Sequence, residues 1–112
     1  MESIIAIDQL SALAHAGRLA VFRLLVKAAP DGLPAGEIAR ALAIPPNTLS
    51  AQLTILNHAG LVHNRREGRS IIHSADTNAI SGLILYLMED CCSGRAEICA
   101  PVLKAANDAT CC

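Results

Sequence analysis

The chain has 112 residues, the length of one compact domain. It is 53% hydrophobic and 17% charged, with a net charge of −1, which excludes a disordered chain; no apolar run approaches the roughly 20 residues of a membrane span. The start, Met1-Glu2-Ser3-Ile4, lacks the basic segment of a secretory signal. A cytoplasmic, reducing location is therefore expected, where five cysteines read as metal ligands or redox groups before structural disulfides. Charge is unevenly placed. Residues 1–75 carry seven Lys and Arg against five Asp and Glu, whereas residues 76–112 carry two against five and hold every cysteine. That asymmetry points to a basic part and an acidic, thiol-rich part with different jobs.

Ile7, Leu10 and Ala14 fall at helical spacing and predict a first short helix over 7–15. A second helix over 18–29 places Leu19, Phe22 and Val26 on one stripe, with Leu24 and Leu25 beside it, and stops before Pro30-Asp31-Gly32. Pro34 suits the start of a third helix, with Ile38, Ala41 and Leu42 on its apolar face. Ile44-Pro45-Pro46 keeps it short.

Pro46 then opens a fourth helix running to about His58, with Leu49, Leu53 and Leu56 toward the core. Opposite them lie Asn47, Thr48, Ser50, Ala51, Gln52 and Thr54, small and uncharged. An ordinary solvated face carries Lys and Glu; this one is shaped to approach another surface. Gly60 ends the helix. Leu61–Arg66 and Ser70–Ala75 read as two strands joined at Glu67-Gly68, with Arg65, Arg66 and Arg69 at the hairpin tip, either solubilising or reaching a phosphate backbone. Asp76 caps a fifth helix in which Ile80, Leu83, Ile84, Leu87 and Met88 fill one face while Leu85 and Tyr86 make the other apolar too. A helix apolar nearly all round needs two partners. In so small a domain the second is a copy of the chain, which predicts a two-fold dimer through helices 1 and 5.

These elements describe a mainly α fold with a small β-hairpin, a homodimeric winged helix-turn-helix. Residues 1–93 would form that domain, with dimerisation helices at both ends, and residues 94–112 a cysteine-containing C-terminal tail. Leu13-Ala14-His15-Ala16-Gly17-Arg18-Leu19-Ala20-Val21-Phe22, Leu33-Pro34-Ala35-Gly36-Glu37-Ile38-Ala39, Pro45-Pro46-Asn47-Thr48-Leu49-Ser50, Leu56-Asn57-His58-Ala59-Gly60-Leu61-Val62 and Arg65-Arg66-Glu67-Gly68-Arg69 occur in that order. Over about residues 8–92 the chain thereby resembles the ArsR/SmtB family of bacterial metal-responsive repressors.

The resemblance implies a homodimeric repressor whose fourth helix lies in the major groove of a palindromic operator. Thr48, Ser50 and Gln52 would then face bases or phosphates, Gln52 reading adenine, and the wing arginines would hold the backbone. Asn47 and Thr54 share the uncharged face. The chain departs from the family where cationic residues commonly follow the serine: Ala51, Gln52 and Thr54 stand there, which flattens the expected salt dependence.

Two of the family's common sensing sites lack their residues. Gly36-Glu37-Ile38-Ala39 has no Cys-x-Cys, and the fifth helix has Asp76 but no histidine. Cys91, Cys92 and Cys99 remain, with Cys111 and Cys112 as accessory candidates. Soft thiolates without imidazole or carboxylate companions suit As(III) or Sb(III) in trigonal-pyramidal geometry, whereas Zn(II) wants a fourth ligand. The pattern also resembles arsenite-responsive family members. An unbroken helix would hold Cys92 and Cys99 roughly 10 Å apart along its axis, so Gly94 is needed as a break. The expected function is a repressor released from DNA by As(III) or Sb(III), with no organic cofactor and no membrane partner. Alternatives are a thiol redox-responsive repressor, or a metalloid-sequestering protein without operator binding. No nucleophile–base spacing and no Cys-x-x-Cys motif occurs, so no enzyme is expected.

Overall fold

The computed structural model describes residues 2–88. Cys91, Cys92, Cys99, Cys111 and Cys112, and the boundary at 93/94, lie outside the described residues. Five helices and three short strands follow in the order α1 (Ser3–Leu13), α2 (Ala16–Lys27), β1 (Leu33–Pro34), α3 (Ala35–Leu42), α4 (Pro46–His58), β2 (Val62–Glu67), β3 (Ser70–Ala75) and α5 (Thr77–Met88). The sheet is antiparallel in the order β1-β3-β2. Its two-residue first strand escaped the sequence reading because Leu33 and Pro34 pair opposite His73 and Ile72 over a span too short to show alternation.

The core forms where α2, α3 and α4 meet the base of the hairpin. Val21, Phe22 and Leu25 pack with Ile38, Leu49, Leu53, Leu56, Leu61 and Val62. The expected inward stripe of α4 is thus observed. Elsewhere the phase differs. On α2, Val21 is buried and Leu19 and Val26 are exposed; on α3, Ala39 is buried and Ala41 is exposed. The largest departure is α1, which turns Ala6, Gln9 and Ala12 inward and leaves Ile4 and Ile7 exposed at 69% and 62%.

Local chemistry sets the boundaries. His15 Nδ1 accepts from the Gly17 N–H at 3.1 Å and caps α2, which leaves α1 at an angle of 101°. Arg18 Nε donates to the Ala12 carbonyl at 2.6 Å, satisfying an orphan acceptor at the end of α1. α4 ends in a complete Schellman motif: Gly60 at φ 79° donates to Asn57 O at 3.0 Å, and Leu61 N–H to Leu56 O at 3.0 Å. Asp76 Oδ1 accepts from the Ala79 N–H at 2.9 Å, the expected cap of α5. The hairpin turn is Gly68–Arg69, one residue later than the sequence spacing indicated, with Gly68 at φ 60° and Glu67 paired with Ser70.

Candidate nucleic-acid interface

At 3.6 residues per turn, the direction opposite Leu49, Leu53 and Leu56 on α4 belongs to Asn47, Ser50, Ala51 and Thr54. All four are exposed, as is Thr48 on the flank. The Thr54 hydroxyl donates back to Ser50 O at 2.9 Å, so its oxygen remains an acceptor toward solvent. The outward face of α4 carries no formal charge. It follows α3 after only Ala43-Ile44-Pro45, a turn made possible by Ala43 in the left-handed region at φ 54°.

Gln52 does not belong to this face. It is 9% exposed, and its side-chain amide lies against Gly17 of α2, where a Cβ would overlap it. Its Oε1 is buried without a partner. Position 52 falls between the core leucines and the outward face, and glycine at 17 leaves room for the amide to turn inward. The expected adenine contact from Gln52 is therefore corrected: the side chain packs the α2–α4 junction.

The three arginines of the hairpin also separate. Cross-strand partners share a face of the sheet, so Val62/Ala75, Asn64/His73 and Arg66/Ile71 line one side, and His63/Ser74, Arg65/Ile72 and Glu67/Ser70 the other. Arg65 turns to the second side. Its guanidinium donates to Asp31 O at 2.6 Å, Ser74 Oγ at 3.3 Å and Glu67 Oε1 at 3.1 Å. It fastens the hairpin to the α2–β1 loop, on the sheet face opposite Asn64, His73 and Arg66. Arg66 lies on the first side, its Nε directed to Gly68 O at 3.5 Å, and Arg69 sits in the turn.

The first side of the hairpin faces α4 across a cleft of about 350 Å³ lined by Ser50, Thr54, Asn57, His58, Asn64 and His73 among others. The His73 and Asn64 side chains are joined at 2.7 Å. Burial lowers the His73 pKa from its ordinary value. None of this pairing was visible in the sequence, where the four histidines follow no ligand spacing; Asn64 and His73 meet only through strand register.

Residues 13–65 match the family described as a helix-turn-helix domain. With the paired strands that follow α4, the chain carries a winged helix-turn-helix. Solved structures similar to it share the architecture. One is the homodimeric winged helix-turn-helix DNA-binding domain Mb0332 from Mycobacterium bovis, described as a possible ArsR-family regulator, 28% identical over 75% of this chain and 76% of that one, with TM-score 0.62. Another is the transcriptional repressor BigR from Xylella fastidiosa, 28% identical over 74% and 84%, with TM-score 0.59. A third is a possible transcriptional regulator for arsenical resistance, 25% identical over 71% and 80%, with TM-score 0.62. A comparison with curated protein sequences gives no match. The winged helix-turn-helix here differs from a strongly basic reading head: its helix presents hydroxyls and an amide, and its cations stand on the wing. Among the described residues no group of three or more His, Cys, Asp or Glu side chains could hold a metal ion, and no single helix is long and apolar enough to cross a membrane.

Proposed function

We propose that this chain is a cytoplasmic, DNA-binding transcriptional repressor that acts as a homodimer on a palindromic operator and is released by As(III) or Sb(III). The observation that carries the DNA-binding reading is the outward face of α4, a row of small uncharged hydrogen-bonding side chains beside a wing bearing Arg66 and Arg69. Asn47, Thr48, Ser50 and Thr54 are short enough to let the helix approach base edges closely. The arginines supply backbone attraction from the side.

The dimer reading is supported by misplaced apolar surface. Ile4, Ile7 and Leu10 on α1 and Ile84, Leu85 and Leu87 on α5 are exposed in the single chain, Leu85 at 69%. α1 and α5 contact one another, which brings the two sets within reach of one partner. Covering each large aliphatic side chain contributes about 1.5–3 kcal/mol, and a two-fold partner covers both patches at once. The Mycobacterium bovis relative is described as homodimeric, which supports assembly as a dimer.

The inducer reading rests on the thiols. α5 is described to Met88, three residues before the adjacent pair Cys91-Cys92, with Cys99 seven further on. Three soft donors without imidazole companions suit a trivalent metalloid, and the relative described as a regulator for arsenical resistance is consistent with that choice. Because the same helix would join the two subunits, ordering its far end alters the spacing of the two α4 helices. A tenfold loss of DNA affinity needs about 1.4 kcal/mol of coupling.

The test is fluorescence anisotropy of a labelled duplex from the chain's own promoter region, with and without arsenite. Arsenite is expected to weaken binding at least tenfold in the unmodified chain, and to have no effect after Cys91→Ser, Cys92→Ser or Cys99→Ser. Release by an oxidant and not by arsenite would assign the thiols to redox control. Arsenite binding without any duplex affinity at low salt would assign the chain to sequestration.

A further inference from the structure

The cleft between α4 and the wing is lined about equally by polar and apolar surface, is open to solvent and lies beside the outward face of α4. The polar pocket residues contributed by the two elements are Ser50, Thr54, Asn57 and His58 from the helix and Asn64 and His73 from the wing, with no carboxylate among them. Arg66 continues the same sheet face beyond Asn64. An anion entering this space meets the Ser50 hydroxyl, side-chain amides and imidazoles and no carboxylate, with the Arg66 guanidinium on the adjoining wing surface.

We propose that this cleft takes a phosphodiester of the DNA backbone, and that His73, oriented by Asn64, contacts it as an imidazolium. The inference rests on the DNA-binding reading above and adds a proton-linked contact to it. Asn64 Oδ1 accepts from the His73 Nδ1–H at 2.7 Å, which fixes the tautomer and leaves Nε2 as the nitrogen that takes a second proton. One proton passes from solvent to Nε2 as the phosphate enters, and the only new contact is a charge-assisted hydrogen bond.

The sign follows from the two environments. In the free protein, burial disfavours the charged ring and holds the His73 pKa below its ordinary value, which favours the neutral ring. A phosphate beside the ring favours the charged form. Binding therefore takes up a proton, and DNA affinity rises as pH falls through the window between the free and bound values. Around His73, His58 on α4 is the second titratable side chain of the cleft, Ala35 of α3 and Asn64 of β2 carry no charge, Leu33 of β1 is apolar, and the Arg66 guanidinium lies on the same sheet face.

The experiment measures anisotropy of the labelled promoter duplex from pH 8 to pH 6 at constant ionic strength. The association constant is expected to rise roughly three- to tenfold in the unmodified chain, within the limit of tenfold per pH unit for one proton. His73→Gln should remove most of that rise. His63→Gln, on the opposite sheet face, should retain it. A second measurement needs no substitution: the NMR titration midpoint of the His73 ring should move up when duplex is added. An equal proton dependence in His73→Gln, or a ring midpoint that moves with inorganic phosphate and not with duplex, overturns the inference and leaves DNA binding standing. Absence of duplex binding at every pH overturns both.

Discussion

The Arg65 guanidinium donates to the carbonyl oxygen of Asp31 at 2.6 Å, across 34 residues of chain. Its immediate neighbour Arg66 points to the other side of the same hairpin. Adjacent arginines in one strand thus have different jobs, one holding the wing to the body and one facing the helix that would approach DNA. Arg65→Ala should cost about 1–2 kcal/mol in urea unfolding, the range for a charge-assisted hydrogen bond to backbone discounted for its exposure. Arg66→Ala should leave the unfolding midpoint within about 0.5 kcal/mol and weaken duplex binding, lowering the slope of log K against log salt by about 0.9 if one phosphate contact is lost.

Gln52 tests the inward assignment directly. A buried Oε1 without a partner contributes nothing that a hydrocarbon of similar shape does not. Gln52→Met should keep stability within about 1 kcal/mol of the parent chain, or raise it. Duplex affinity should stay within twofold. A large loss of affinity with intact folding would return Gln52 to the base-reading face.

The exposed α1 and α5 patches predict assembly. Ile7→Glu and Leu85→Glu alter side chains that are already in water in the single chain, so helical content by circular dichroism should be retained. Sedimentation should change from dimer to monomer. Because a palindrome is held by two linked heads, duplex affinity should fall by more than about tenfold with no loss of direct contacts.

Two glycines separate backbone strain from steric overlap. Gly60 lies at φ 79° with nothing within 4 Å of where a Cβ would stand, so Gly60→Ala should cost about 1 kcal/mol, the left-handed penalty alone. Gly32 lies at φ 82°, and a Cβ there would overlap Ser74 Oγ and the His73 carbonyl. Gly32→Ala should therefore cost more than Gly60→Ala in the same urea experiment, and should loosen the loop that Arg65 fastens.

Much of the chain was legible from local chemistry. Pro46 at the start of α4, Gly60 at its end and Asp76 before α5 act on backbone groups within a few residues, so their effects can be read without knowing the fold. The uncharged row on α4 was equally plain, because leucines at i, i+4 and i+7 leave one direction for everything else. Helical periodicity assigns residues to stripes but does not say which stripe faces inward when both are apolar. In α1 the inward stripe is Ala6, Gln9 and Ala12, and its two alanines allow close approach to α2 and α4. The larger isoleucines are left for another surface. Gln52 turned inward for a related reason, since Gly17 on a neighbouring helix leaves space beside it. The sequence by itself determined the order of the helices, the start and end of α4, the Asp76 cap of α5 and the uncharged outward face of α4. Only tertiary packing and strand register decided that Arg65 ties the hairpin to the Asp31 loop, that Gln52 is buried, and that Asn64 and His73 pair on the wall of a cleft facing α4, because those outcomes depend on neighbours distant along the chain.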